Sequence, residues 1–450
     1  MVRAGMIPAR PIFKLGGAAA GLMLAAAPLP SFAATAAPAA APLAMASTAA
    51  SDIDAFYRAR GGRPLWLAPQ SGSAAQLMLG LLHSAAADGL DPGRYQIERV
   101  ADALRDAQRG DRRSVERAER LLSQAFVAYA RDLRRAPNIA IVYVDRELVP
   151  APPSARYLLE SAAAASSLAN FVDSMAWMNP IYGQLRRALI SRSYADDQQR
   201  RILMLNLERA RALPPGNLRY VVVNAAAQRL FMYENGQIVD SMRVVVGKPK
   251  HATPMMNAFI RAAALNPYWN VPPDLAAERI APHVVKQGVR YLAANGYELL
   301  SDWTEQASVI DPSTVDWQAV ADGRVEVRIR QLPGPNNALG KMKFVFPNRE
   351  GIFLHDTPER QLLSEASRLY SGGCIRLEDA PRFARWLFGR ELEKQGDEPE
   401  QMVGIPTLVP LYVTYLTAVP SGSSIAYYED VYGRDAARLA ALGAGQRATR

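Results

Sequence analysis

The spacing of apolar residues changes near Leu218, and a chain with such a change must build two unlike parts. From Asp52 to about Ser193, apolar side chains recur every three or four residues, a spacing typical of amphipathic helices. After Leu218 the chain has runs rich in β-branched and aromatic residues, such as 220–223 and 229–233, which favour strands. We therefore predict an α+β fold, in which a helical N-terminal domain precedes a mostly β domain.

Local signals place several elements within the β half. Asn235-Gly236 predicts a hairpin turn, because both residues accept left-handed backbone conformations. Asp379 predicts the start of a helix that continues through Leu387, since its carboxylate can accept the free N–H groups of a first turn. Further strands are predicted at 238–246, 342–346, 351–355 and 408–419.

The N-terminal residues have the pattern of an export signal. Basic residues precede an uncharged apolar run at 15–27, and small residues at Ser31 and Ala33 fit a cleavage site after Ala33. Residues 34–50 are almost entirely Ala, Pro, Ser and Thr, and are predicted to form a flexible leader. We expect the protein to be exported. The alternative is an uncleaved signal that anchors it in the inner membrane.

Charge and cysteine content limit the possible functions. The formal net charge is +9, with the basic residues spread along the chain, which favours polyanions such as nucleic acid, anionic lipid or an anionic cell-wall polymer. The chain has one cysteine, Cys374, which excludes an intrachain disulfide, a multi-cysteine metal site and a lipid anchor near the signal. This thiol is therefore either a buried filler or a reagent.

The residues that carry chemistry are concentrated between His355 and Leu377. A cysteine nucleophile needs a base to remove its proton and backbone N–H groups to receive the oxyanion. His355 ends an apolar strand 19 residues before Cys374, and Gly372-Gly373 let the backbone approach a substrate closely. Each residue alone has a structural interpretation: a filler thiol, a satisfied histidine, a simple turn. Their combination in an exported chain favours catalysis.

These residues resemble the signature of the L,D-transpeptidases, in particular the large periplasmic members with a helical scaffold domain. In that family a histidine is followed by Ser-x-Gly-Cys-x-Arg, which matches His355, Ser371, Gly373, Cys374 and Arg376. The other phrases that resemble this subfamily lie at 206–209, 246–248, 253–254, 266–272 and 339–344. The resemblance is strong over about 205–435 and weaker before it.

The resemblance implies the domain organisation and the reaction. The expected segments are a signal peptide (1–33), a leader (34–50), a scaffold domain (51–205), a catalytic domain (206–435) with an inserted capping subdomain (272–332), and a C-terminal tail (436–450). Cys374 would attack the carbonyl between the third residue and the D-alanine of a peptidoglycan tetrapeptide stem. A second stem's amine would then take the acyl group from the thioester, giving a 3–3 crosslink in the periplasm.

The resemblance also implies roles for the surrounding residues. His355 would be the base, with its tautomer held by the carbonyl of Asp356, and Gly373 would form part of the oxyanion site. Ser371 would hydrogen-bond near the nucleophile, while Arg376 would fix the loop, bind a stem carboxylate or form a structural ion pair. We expect no metal and no organic cofactor. The expected partners are donor and acceptor stems and carbapenem inhibitors, without nucleic acid, and with a membrane only if the signal is uncleaved.

The sequence departs from the family pattern in two places. Many relatives have a second histidine where this chain has Gly372, so the base should be His355. Full-length relatives also carry a peptidoglycan-binding module, whereas here residues 190–197 lead almost directly to 206–209. Substrate docking is therefore expected to rely on the catalytic domain, the scaffold and the positive surface.

Several interpretations stay open at this point. Tyr268 and Trp269 either line the substrate groove or cover the core, and His251 either touches the glycan or lies in a basic surface loop. His83 and His283 are expected to pack or to lie at the surface. Water could replace the amine as acceptor, which would make the enzyme an L,D-carboxypeptidase or endopeptidase. The third hypothesis is a non-catalytic cell-wall-binding scaffold.

Overall fold

The computed structural model describes residues 41–304 and 306–448, so the expected signal peptide and residues 34–40 of the leader lie outside the described residues. The prediction of a flexible leader is wrong from Ala41 onward, because helix α1 spans Ala41–Ala59. The buried side chains of Ile53 and Phe56 hold the second half of this helix against the core. Because alanine has the highest helix propensity, the Ala-rich residues before it continue the helix toward the N-terminus. Within the described ranges, no helix is long and apolar enough to cross a membrane.

The helical half of the predicted α+β fold is confirmed. After α1 it contains α2 (Ala74–His83), α3 (Ile97–Ala107), α4 (Arg112–Leu133), α5 (Ala155–Ala164), α6 (Leu168–Asp173), α7 (Pro180–Ile190) and α8 (Asp197–Ala210). Side-chain oxygens of Asp111, Ser154 and Asp196 accept the first free N–H groups of α4, α5 and α8. The helices enclose one hydrophobic core, in which Trp66 and Phe126 are almost completely buried.

The second half is mostly β, as predicted. Its strands are β1 (Val142–Tyr143), β2 (Tyr220–Asn224), β3 (Arg229–Glu234), β4 (Gln237–Gly247), β5 (Met256–Leu265), β6 (Trp269–Val271), β7 (Tyr297–Leu300), β8 (Arg328–Gln331), β9 (Met342–Val345), β10 (Leu354–His355), β11 (Leu369–Ser371), β12 (Ile375–Leu377), β13 (Gln401–Thr414), β14 (Ala418–Ser421) and β15 (Ser424–Tyr427). In the main sheet the order β5-β13-β2-β3-β4-β12-β10-β9 closes on itself, because β9 pairs with both β10 and β5.

Several local predictions for this half are confirmed. Asn235 and Gly236 turn β3 into antiparallel β4 with positive φ angles of 49° and 79°. Asp379 accepts the backbone N–H of Arg382 at the start of α13 (Ala380–Phe388). In β2, Val221 faces the enclosed core, while Tyr220 packs outward against a second apolar cluster, so the strand is hydrophobic on both faces.

The predicted strand at 408–419 is wrong at both ends. β13 begins at Gln401 and ends at Thr414, and β14 is a separate strand that pairs with β15. The break has a physical cause, because side chains rather than a neighbouring strand satisfy the backbone there. Asn224 accepts the N–H of Leu416 and donates to its carbonyl, and Asn206 accepts the N–H of Thr417.

The segment between β5 and β9 builds a small unit of its own. Its three-stranded sheet has the order β6-β8-β7, and its helices are α9 (Pro273–Leu275), α10 (Ala281–Gln287), α11 (Arg290–Ala294) and α12 (Trp317–Ala321). Val271, Ile280 and Ile329 lie in its core. The sheet already begins at Trp269, three residues before the predicted start of the insertion. The last described helix is α14 (Arg434–Ala448).

Candidate active site

Strands β10 and β12 bring Cys374 and His355 to the same face of the sheet. They pair in parallel, with Leu354 opposite Ile375, and both of these side chains are fully buried in the core. Because side chains alternate along a strand, His355 and Cys374 lie on the opposite face. Continuing the register by one residue places Cys374 opposite Phe353, so its Cα lies roughly 8 Å from that of His355. Two side chains that point to the same face can reach toward each other over such a separation.

The imidazole of His355 is held in one tautomer. It is 3% exposed, and its Nδ1 lies 2.6 Å from the carbonyl oxygen of Asp356. A carbonyl only accepts, so Nδ1 carries the proton and Nε2 presents a lone pair. No hydrogen bond among the described residues uses Nε2. The geometry therefore leaves one nitrogen of His355 available to accept a proton.

Burial and charge keep this imidazole neutral. Desolvation, together with the nearby cations of Arg376 and Lys343, lowers the pKa of His355 to about 3. Burial also raises the pKa of the Cys374 thiol, although a hydrogen bond from the backbone N–H of Phe353 and the charge of Arg376 act against this rise. Cys374 is half-buried, and its Sγ donates to the carbonyl of Gly351 at 3.5 Å. At neutral pH Cys374 is thus a thiol and His355 a neutral base on the same face of the sheet.

The backbone before the thiol is fixed by two hydroxyl groups. Ser371 Oγ accepts the N–H of Gly373 at 3.1 Å and donates to the carbonyl of Cys374 at 2.6 Å. Thr253 Oγ1 donates to the carbonyl of Gly373 at 2.8 Å. Gly373 has a φ of +114°, which L side chains rarely adopt. In the part of the chain that the structure describes, the N–H of Cys374 has no hydrogen-bond partner.

Two charged residues beside His355 are held by ion pairs. The carboxylate of Asp356 accepts from the N–H of Lys341 at 2.9 Å and from Arg360 Nη2 at 2.7 Å, while its carbonyl holds His355. Arg376 pairs with Glu359, and its side chain is only 8% exposed. Of the roles left open for Arg376, its contacts favour a structural ion pair that also places a positive charge near the thiol.

The insertion packs directly against the loop that carries Cys374. A Cβ at Gly372 would lie 2.8 Å from Cδ1 of Leu275 in α9, so the insertion fills the space beside this glycine. Glu278, just after α9, lies 3.3 Å from Lys248 Nζ and 3.1 Å from His251 Nε2, and it also pairs with Lys250. Hydrogen bonds from these side chains lower the pKa of Glu278 to about 2.

Comparison with known proteins identifies the domain that contains this site. Residues 218–394 match the family model described as the L,D-transpeptidase catalytic domain, and residues 51–189 match the one described as the Scaffold domain. The chain carries an L,D-transpeptidase catalytic domain. Every residue of the candidate site lies within the matched catalytic domain. Helix α8 lies between the two matched segments.

Individual relatives cover parts of the chain. A Haemophilus influenzae protein described as "Putative L,D-transpeptidase" is 30% identical over 285 residues, which is 61% of this chain and 57% of that protein. The chain thus spans little more than half the length of this relative. An L,D-transpeptidase from Mycobacterium smegmatis is 15% identical over 44% of this chain and 58% of that chain, with a TM-score of 0.21. An L,D-transpeptidase in complex with imipenem is 13% identical over the same shares, with a TM-score of 0.22.

The other residues singled out from the sequence make their observed contacts elsewhere in the molecule. Trp269 packs on the core of the insertion, and the guanidinium of Arg330 lies 4.0 Å from the ring centre of Tyr268. His283 is exposed and stacks on Tyr291, and His83 is exposed at the end of α2. The contacts of Tyr268 and Trp269 therefore favour a structural role. Conversely, sequence reasoning gave no role to Thr253 beyond its place in a family phrase.

Proposed function

We propose that this protein is a peptidoglycan L,D-transpeptidase that forms 3–3 crosslinks between stem peptides through a cysteine acyl-enzyme. The matched L,D-transpeptidase catalytic domain supports a peptidoglycan-modifying activity. The observation that carries the proposal is the free Nε2 of a neutral His355 on the same sheet face as the Cys374 thiol. The predicted export signal at residues 1–33 supports action in the periplasm.

In the first step, Cys374 attacks the carbonyl carbon between the third residue and the D-alanine of the donor stem. The thiol proton passes to Nε2 of His355 as the sulfur–carbon bond forms, and the carbonyl oxygen becomes an oxyanion. The free N–H of Cys374 donates to that oxyanion. When the carbon–nitrogen bond breaks, Nε2 returns the proton to the departing D-alanine amine, and a thioester remains.

In the second step, the side-chain amine of an acceptor stem attacks the thioester. Nε2 of His355 takes a proton from this amine, the carbon–sulfur bond breaks, and the sulfur of Cys374 recovers the proton. The products are an amide crosslink and the starting enzyme. Neither step requires a metal or an organic cofactor. With water in place of the amine, the same step would release the free stem and no crosslink.

Carbapenems should react at the same position. Their strained lactam carbonyl offers the electrophile that the stem carbonyl offers, and the opened oxygen would occupy the same oxyanion site. The structure of a related enzyme in complex with imipenem motivates the choice of that compound as a probe. We expect one covalent adduct, on the peptide that contains Cys374.

The decisive experiment is mass spectrometry of the purified protein incubated with a disaccharide-tetrapeptide. It reports the acyl-enzyme, the loss of D-alanine and the crosslinked dimer together. A dimer supports the transpeptidase, whereas repeated turnover to a free tripeptide stem without a dimer would show that water is the acceptor. A protein that forms neither an acyl-enzyme nor an imipenem adduct would overturn the proposal in favour of a non-catalytic wall-binding role.

A further inference from the structure

The Thr253 side chain is completely buried between two backbone segments that meet beside the thiol. Its Oγ1 accepts the N–H of Gly247 at 2.9 Å and lies 2.8 Å from the carbonyl oxygen of Gly373. A hydroxyl has one hydrogen, and an amide N–H can only donate. The Thr253 hydroxyl therefore donates its one hydrogen bond to the carbonyl of Gly373.

That carbonyl belongs to the same peptide unit as the N–H of Cys374. In a trans peptide the C=O and N–H groups point in opposite directions, so whatever fixes one also aims the other. Glycine at 373 has no side chain to restrict this rotation. In the described part of the chain, Thr253 donates the one hydrogen bond that the carbonyl of Gly373 receives, and the N–H of Cys374 has none.

We propose that Thr253 is a positioning residue that aims the N–H of Cys374 at the carbonyl oxygen under attack. The inference rests on the proposed function, because it assigns the orientation of the oxyanion donor in that reaction. Thr253 touches neither substrate nor reacting atoms and exchanges no proton. Its effect depends on holding the donor before the oxyanion forms, so that no reorientation is needed during the attack.

Surrounding contacts hold Thr253 itself in place. A Cβ at Gly247 would lie 1.9 Å from the carbonyl oxygen of His251, so glycine is required for the close approach of the loop to β4. The hydroxyl of Tyr432 donates to the carbonyl of Gly247 at 2.7 Å, and Arg434 Nη2 donates to the carbonyl of Thr253 at 2.8 Å. The start of α14 and the residues just before it thus support the geometry behind the nucleophile.

The test compares two reactions of the same thiol. Acylation by imipenem develops an oxyanion, whereas alkylation by iodoacetamide displaces iodide at a saturated carbon and develops none. Thr253→Val removes the hydroxyl with little change in shape. We expect it to slow acylation about 10–100-fold, since loss of a well-placed oxyanion donor costs about 10²–10³-fold and this donor is only misdirected. Alkylation should stay within about twofold.

Two further variants separate positioning from general disruption. Thr253→Ser keeps the hydroxyl and should restore acylation. Thr417→Val is the matched control, because that buried threonine also accepts one hydrogen bond, from Asn206, and donates one, to Asp435, away from the catalytic loop. It should leave both reactions unchanged. If Thr253→Val does not fold, Thr253→Ala replaces it.

The outcomes distinguish this inference from the proposed function. Unchanged acylation in folded Thr253→Val, an equal loss of acylation and alkylation, failure of Thr253→Ser to restore acylation, or an equal effect of Thr417→Val would each overturn the positioning role. If the unaltered protein is alkylated at Cys374 but never acylated, the proposed function itself fails.

Discussion

Both halves of the molecule bury titratable groups, and they differ in how completely those groups are paired. In the scaffold half, the fully buried carboxylate of Asp88 accepts from Tyr129 and Tyr182, and its two oxygens share the Nε–H of Arg186. In the catalytic half, His355 uses one ring nitrogen, and the N–H of Cys374 has no partner among the described residues. Buried polar groups whose hydrogen-bonding capacity is fully used make the surrounding structure rigid. Groups that are buried yet left with a free donor or acceptor are suited to receive a substrate.

The largest expected effect is the removal of the nucleophile. Cys374→Ser should abolish crosslinking and imipenem acylation, because a serine hydroxyl is far less acidic than a thiol. The substitution is nearly isosteric, so circular dichroism and thermal unfolding should match the unaltered protein. Crosslinked dimer would be measured by mass spectrometry, and near-normal dimer formation by this variant would remove Cys374 from the mechanism.

Removal of the base comes next. His355→Ala should slow acylation by roughly 10²–10⁴-fold at neutral pH, the usual contribution of a positioned acid–base group. The matched control is His283→Ala, which deletes an exposed histidine in the insertion and should leave the acylation rate unchanged. If His355→Ala reacts as fast as the unaltered protein, another group, such as His251, must act as the base.

The pH dependence gives a second measure of the same pair. The lowered pKa of His355, about 3, leaves the free base present at every higher pH, while the raised pKa of Cys374 keeps the thiolate scarce. Acylation of the unaltered protein should therefore vary little over roughly pH 5 to 8. In His355→Ala the reaction depends on thiolate alone, and its rate should rise about tenfold per pH unit. Parallel profiles for the two proteins would contradict this assignment.

In the scaffold half, breaking the buried pairing of Asp88 should lower the unfolding free energy without changing the acylation rate. Asp88→Asn removes the negative charge that faces the buried Arg186, and breaking such a pair costs about 3–5 kcal/mol. Denaturant unfolding should show this decrease, whereas acylation per folded molecule should not change. Glu98→Gln, an exposed acidic residue of the same half, should shift the unfolding free energy by less than about 0.5 kcal/mol. An acylation defect in folded Asp88→Asn would contradict the view that the paired groups of the scaffold half contribute to stability and not to the reaction.

How far the sequence predicts this molecule depends on the range of the interactions involved. The turn at Asn235-Gly236 and the cap at Asp379 follow from local chemistry, and both are present. The tautomer expected for His355 also depends on its immediate neighbour, Asp356, and the structure has that hydrogen bond. These features could be predicted because each depends on a few adjacent residues.

Features that depend on distant residues could not be predicted in this way. Thr253 and Gly373 are 120 residues apart, and no local pattern links them. The strand predicted at 408–419 is interrupted because the side chains of Asn206 and Asn224, distant in the sequence, form the hydrogen bonds that a neighbouring strand would otherwise provide. Likewise, a single chain does not reveal that Leu275 fills the space beside Gly372.

The smallest predicted effect concerns the contact between the insertion and the catalytic loop. In Gly372→Ala the new Cβ would lie 2.8 Å from Cδ1 and 3.0 Å from Cδ2 of Leu275, which is too close for either to stay in place. Both atoms are at the end of a flexible side chain, so Leu275 can turn aside. We expect a decrease in unfolding free energy of at most about 1 kcal/mol, less than a tightly packed core imposes on an added methyl group.

A double-mutant cycle with Leu275→Ala sharpens this prediction. If Leu275 occupies the space beside Gly372, shortening it makes room for the new methyl group, and Gly372→Ala should cost less in the Leu275→Ala background than alone. Unfolding free energies of the four proteins then give a coupling of at least about 0.5 kcal/mol. Additive effects within about 0.3 kcal/mol would mean that the two residues do not touch in solution. In that case the loop that carries Cys374 would be open to the substrate beside Gly372.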